Sequence, residues 1–133
     1  MDADRLKHLE FIQAAITRMA NHSFLLKGWG ATIIAALLAL GSKDSERSLV
    51  YAGIVPVALF SILDAYYLCK ERDFRCLYDL VREESTKVPP LSMTLPEGET
   101  QAQIFDTVGS FSIWGYWGAL AFAAFLCAHF LIR

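Results

Sequence analysis

At 133 residues the chain has the length of one domain. It is 55% hydrophobic and only 20% charged, with a mean hydropathy of +0.37, too apolar for an ordinary water-soluble domain. A net charge of -2 leaves no basic excess to hold a phosphate backbone, which excludes a general nucleic-acid binder.

The first segment, residues 2–21, carries Leu6, Leu9, Ile12, Ile16 and Met19 at steps of three and four. That spacing predicts an amphipathic helix with one apolar stripe. Its polar face mixes both charge signs, which favours packing against another cytoplasmic helix over lying on a membrane surface. The apolar run begins only after these residues, so no cleavable signal peptide is expected.

A first transmembrane span is predicted at 24–40, FLLKGWGATIIAALLAL, near the short limit for crossing a bilayer. Lys27 lies close enough to its start to snorkel, and Trp29 suits the interfacial aromatic belt. The hydrophilic stretch Gly41 to Ser48 is expected to form a turn. A second span follows at 49–68, with a kink expected where Pro56 frees the carbonyl of Ala52.

Beyond Leu68 the helical pattern continues but becomes amphipathic. Phe74, Leu77, Tyr78 and Val81 make an apolar stripe suited to the stripe of the first segment. Residues 69–108 thus read as a cytoplasmic extension of the second helix, a proline-containing loop over Thr86 to Thr100, and a short helical piece at Gln101 to Val108. A third span is predicted at 111–132, closed by Arg133. The expected fold is an all-α membrane protein with three transmembrane helices, in a single membrane domain.

Orientation follows from the basic residues. Four precede or enter the first span (Arg5, Lys7, Arg18, Lys27), and five lie between the second and third (Lys70, Arg72, Arg75, Arg82, Lys87). The opposite side has three: Lys43, Arg47 and Arg133. The richer side is expected in the cytoplasm, giving a cytoplasmic N-terminus and an outside C-terminus.

Asp64 is the most informative residue, because a carboxylate inside a span needs a partner. It lies about 6 Å from the inner end of the second span by helix rise, at the depth of Lys27. A Lys27–Asp64 pair is therefore expected, either fixing helix register or serving a gate. Arg72, Arg75 and Arg82 offer contacts to an anionic ligand or lipid headgroups, or simply a solvated helix face. Small residues recur every four positions at Ala31, Ala35 and Ala39, and again at Gly115, Ala119, Ala123 and Cys127. Such faces let helices approach closely in lipid, and a face left over suggests a homo-oligomer.

Catalytic chemistry is thinly represented. His8, His22 and His129 are scattered, and neither an HExxH nor a cysteine–histidine zinc pattern occurs. Cys69 and Cys76 stand two helical turns apart, about 10 Å by helix rise, too far to bridge. Free thiols in a reducing compartment are expected. No enzyme activity, metal or cofactor is expected. The bacterial diacylglycerol kinase family also joins an amphipathic leading helix to three spans. This chain, however, has LDAYYLCKER where that family carries an asparagine–glutamate pattern.

The stretches LEFIQAAITRMANHSFLLKGW (Leu9 to Trp29) and LDAYYLCKERDFRCLYDLV (Leu63 to Val81) resemble small bacterial inner-membrane proteins. They also resemble the SLATT-like two-transmembrane effectors of anti-phage systems. The resemblance covers roughly residues 5 to 85, and the third span departs from the two-span plan. It implies an oligomeric inner-membrane effector that forms a pore or perturbs the bilayer when a cytoplasmic sensor protein fires. The alternatives are an accessory anchor or regulatory subunit for a cytoplasmic partner, and a small lipid-modifying membrane enzyme.

Overall fold

The computed structural model describes residues 2–44, 47–84, 88–96 and 109–130, and every regular element among them is an α-helix. In chain order these are α1 (Ala3–Asp44), α2 (Arg47–Ala52), α3 (Ile54–Arg82) and α4 (Phe111–Phe130). The expected helical piece at 101–108 and the last residues of the third predicted span lie outside the described residues.

Two boundaries differ from expectation. The leading amphipathic segment and the first apolar segment are one unbroken helix of 42 residues, about 63 Å by helix rise. No proline separates them, and each residue from Asn21 to Phe24 tolerates a helix, so nothing breaks the backbone where the side chains change character. The hydrophilic stretch after Leu40 also stays helical as far as Asp44, and α2 starts again at Arg47, so the expected turn over Gly41 to Ser48 is not found at that length.

At the expected kink the helix is interrupted for one residue, Gly53, next to the Ala52 carbonyl that Pro56 frees, and the Gly53 backbone keeps helical angles (φ −68°, ψ −14°). Pro56 sits in the first turn of α3, where a residue without an N–H is tolerated. The first bond of α3 runs from the Val57 amide to the Gly53 carbonyl at 3.2 Å. The apolar run at 49–68 is thereby divided between α2 and α3. The part from Ile54 to Leu68 measures only about 22 Å by helix rise, short of a bilayer core.

α1 and α3 run antiparallel. At one end Leu9, Ile12 and Ile16 interlock with Leu77 and Val81, flanked by Phe74 and Tyr78, so the two apolar stripes of the sequence meet. Val88 and Leu95 of the following segment close over the same cluster. Arg5 caps this end of α3: its Nε donates to the Val81 carbonyl at 3.0 Å, and its terminal nitrogens donate to the Arg82 carbonyl and the Glu84 carboxylate. These bonds satisfy carbonyls that a helix C-terminus leaves without partners. Glu84, at φ 58°, turns the chain out of the helix. His8 Nε2 lies 2.7 Å from the Ser92 carbonyl oxygen, so the ring donates there and ties the 88–96 segment to α1.

α4 runs parallel to α1, with Trp117 near Gly30 at one end and Ala128 against Leu38 at the other. Two helices, α1 and α4, are long and apolar enough to cross a membrane. Their apolar side chains largely face outward: Phe24, Trp29, Phe111, Trp114 and Phe122 are all more than half exposed. A core helix of a soluble domain would bury such residues, so this outward surface favours a lipid surrounding.

Candidate functional site

The centre of the molecule is a polar knot where α1, α3 and α4 meet. Asp64 on α3 is completely buried. Lys27 Nζ lies 2.7 Å from its Oδ2 and 3.0 Å from its Oδ1. Trp117 Nε1 donates to Oδ2 at 2.8 Å, and the Ser23 hydroxyl donates to Oδ1. Each carboxylate oxygen thus accepts two bonds, and the charge is matched by one lysine.

Local sequence explains how each group arrives there. Ser23 and Lys27 are four residues apart on one face of α1, and Lys27 Nζ also contacts Ser23 Oγ at 3.1 Å. Tyr116 donates its hydroxyl to the Lys27 carbonyl at 2.6 Å, while its ring lies 5.9 Å from Lys27 Nζ. This is a weak cation–π contact. Trp117 reaches Asp64 only because position 30 is glycine. A Cβ at Gly30 would sit 2.7 Å from two carbons of the Trp117 ring.

Physically, the knot fixes both rotation and register of three helices. Its hydrogen bonds are directional, and removing any one partner strands a buried polar group. It provides a saturated carboxylate, not a poised base or nucleophile. Among the described residues no cluster of three or more histidine, cysteine, aspartate or glutamate side chains is placed to hold a metal ion.

The expected Lys27–Asp64 pair is therefore formed within one chain. The arginines behave differently. Arg75 contacts Glu71 at 2.7 and 2.9 Å, and Arg82 lies 3.7 Å from Asp79, so both direct charge at acidic neighbours on their own helix. Arg72 is half-buried beside them. Of the small-residue faces, Ala31 and Gly115 are half-buried, while Ala35, Ala39, Ala119 and Ala123 are exposed. The face of α4 turned inward is Ile113, Trp117, Ala124 and Ala128. The small residues named from the sequence thus flank the internal contact and mostly point away from it.

Sequence reasoning passed over Ser23, Gly30, Tyr116 and Trp117. The i, i+4 spacing of Ser23 and Lys27 was a usable signal for the first. Nothing local assigns Trp117 to Asp64, since the contact joins residues far apart in the chain. A second buried carboxylate, Asp73, was also missed. Its Oδ2 lies 3.7 Å from Lys70 Nζ, and its Oδ1 meets no hydrogen-bond partner among the described residues. Burial pushes this carboxyl above its ordinary value, with the Lys70 charge opposing.

No protein-family model, no curated protein sequence and no solved structure matches the chain.

Proposed function

We propose that this protein is a three-span effector of the bacterial inner membrane, with its N-terminus in the cytoplasm and its C-terminus outside. Copies assemble through the exposed small-residue faces, and the assembly opens or perturbs the bilayer when the cytoplasmic hairpin is acted on by a sensor protein. A defence system is the setting that fits such an activity.

The observation that carries this reading is the continuity of α1 and α3. Both run without a break from the apolar hairpin around Ile12 and Leu77, through the polar knot, and toward the lipid-facing segments. A displacement at the hairpin therefore reaches Lys27 and Asp64 through helix, with no flexible joint to absorb it. In this arrangement Asp64 is sealed from solvent, which suits a resting, closed state. The parallel course of α1 and α4, antiparallel to α3, agrees with three crossings, and α2 together with α3 supplies the length that α3 alone lacks. Basic residues concentrated at the hairpin end support the cytoplasmic assignment of that end.

A second reading, a regulatory anchor for a soluble partner, draws support from Leu6, Phe11 and Leu91. These apolar side chains are exposed on the hairpin and its strap, away from the predicted spans.

Induced expression in bacterial cells separates the two. The effector reading expects dye or ion leakage that tracks a homo-oligomer in mild detergent. In a cysteine-free background, an impermeant thiol reagent should label Lys43→Cys from outside and spare Glu10→Cys. A monomeric protein that causes no leakage, and co-purifies with one stoichiometric soluble partner, would overturn the effector reading in favour of the second.

A further inference from the structure

Lys70, Asp73, Phe74 and Leu77 recur at steps of three and four and so share one face of α3. Between this face and the 88–96 strap lies a cavity of about 180 Å³, walled on the strap side by Met93, Thr94 and Leu95. Asp73 lines it and is only 7% exposed, and its Oδ1 meets no hydrogen-bond partner among the described residues. Its Oδ2 stands 3.7 Å from Lys70 Nζ, long for an ion pair. We propose that this cavity binds a small apolar α-amino acid, with the ligand's ammonium on Asp73 and its carboxylate on Lys70. The proposal does not depend on the effector reading, because the site lies within the hairpin and its strap.

Charge is the first reason for that occupant. A buried carboxylate oxygen is costly to leave unbonded, and a positively charged donor answers it best. Asp73 and Lys70 together are neutral, so a zwitterion leaves the site neutral. A bare amine or a bare acid would leave one charge uncompensated beside a buried group. Lys70 is the partly exposed member of the pair, so it can meet a carboxylate at the edge of the cavity while Asp73 holds the ammonium within.

The walls and the size supply the rest. Phe74, Leu77, Met93 and Leu95 suit an aliphatic or aromatic side chain, and the Thr94 hydroxyl already shares a hydrogen bond with that of Ser92 at 3.0 Å. The cavity is smaller than the roughly 300–1,000 Å³ of sites for drug-sized molecules, so its ligand is small. Because Oδ1 is shut off from solvent, entry goes with a lifting of the strap, which His8 ties to α1 through the Ser92 carbonyl. A bound amino acid would fill the space beneath Met93 and Leu95 and hold the strap down.

The test is calorimetric titration of the full-length protein in phosphatidylglycerol nanodiscs with L-leucine, L-methionine and L-phenylalanine. At least one should bind saturably and slow amide hydrogen exchange in residues 70–82 and 91–95. For leucine, isoamylamine lacks the carboxylate and 4-methylpentanoate lacks the ammonium, and each should bind at least about tenfold more weakly. Asp73→Asn keeps the shape and removes the charge, and Lys70→Met removes the other; each should weaken binding by a similar factor while helical circular dichroism is unchanged. Absence of saturable binding by all three amino acids, or binding unaltered in Asp73→Asn, would overturn the site. Isoamylamine binding as tightly as leucine would overturn the zwitterion, and L-glutamate doing so would overturn the apolar specificity. Displacement of the amino acid by an equal concentration of phosphoethanolamine would overturn the assignment in favour of a lipid headgroup.

Discussion

Ile12 and Asp64 are both removed entirely from solvent, one in the α1–α3 hairpin and the other where three helices meet. The hairpin is held by interlocked aliphatic side chains, Ile12 and Leu77 at its centre. The knot is held by a carboxylate with bonds from three donor groups on two other helices. The difference follows from the surroundings. Burying Ile12 removes apolar surface from water, which drives association. Among lipid tails that drive is absent, so helix contacts there depend on close packing and on polar groups that have no other partner. α1 carries both kinds of contact in one continuous helix, the aliphatic cluster ending at Ile16 and the polar knot beginning at Ser23.

The largest test of this contrast is Asp64→Ala. It leaves the Lys27 ammonium, the Trp117 N–H and the Ser23 hydroxyl without their acceptor in a buried place. Breaking a buried pair by removing one partner costs about 3–5 kcal/mol. The variant should lose assembly or expression, measured by detergent sizing and by unfolding in graded denaturing detergent. Lys27→Met combined with Asp64→Leu should restore much of that stability, because no charge is then stranded. If the double variant assembles normally yet causes no leakage, the pair takes part in opening the membrane as well as in holding helices. Wild-type assembly and leakage in Asp64→Ala alone would mean the knot contributes neither.

A somewhat smaller effect is expected from Ile12→Ala, about 2–4 kcal/mol from lost burial plus the cavity left behind. The distinguishing feature is location. Limited proteolysis should open the hairpin near residues 5–16 and 74–84, while the lipid-facing segments of α1 and α4 remain protected. If Ile12→Ala loosened the knot as much as Asp64→Ala does, the two regions would be one cooperative unit and the contrast would fail.

The hairpin was readable from the sequence because a stripe at 3.6-residue spacing names its own buried face. Leu9, Ile12 and Ile16 on one segment, and Leu77 and Val81 on another, could be matched before any coordinates. Lys27 and Asp64 were also legible, since depth along a span and opposite charge suffice to pair them. The rest of the knot was not. Trp117 resembles any interfacial tryptophan, and Gly30 resembles any small residue in an apolar run, until their mutual 2.7 Å constraint is seen. The continuity of α1 was hidden because hydropathy reports the surrounding solvent, while the backbone responds to helix breakers, and no proline lies between 3 and 44. At Gly53 backbone chemistry was legible: the missing N–H of Pro56 marks the interruption next to Ala52, in spite of the apolar content around it.

The smallest effect concerns the one place where the hairpin borrows the chemistry of the knot without completing it. Asp73 is buried like Asp64, but its ion-pair partner among the described residues, Lys70, is 3.7 Å away and partly exposed, and its Oδ1 meets no partner among them. Its carboxyl titrates above the ordinary value, so the folded hairpin binds that proton more tightly than the unfolded chain does. The stability linked to Asp73 is therefore fully present below the ordinary carboxylate value of 3.8 and is lost as pH rises through the raised one. Asp73→Asn keeps the shape and removes the charge at every pH. It should stabilise the hairpin at neutral pH by about 1 kcal/mol, the scale of one incompletely satisfied buried group. It should also flatten the pH dependence that the wild type shows from about pH 4 upward. Amide hydrogen exchange of residues 70–82, corrected for the intrinsic pH dependence of exchange, measures both. A variant that protects these amides less than the wild type at neutral pH would show that the Lys70–Asp73 attraction outweighs burial. Charge would then stabilise the hairpin as it does the knot, and the contrast between the two regions would be one of degree.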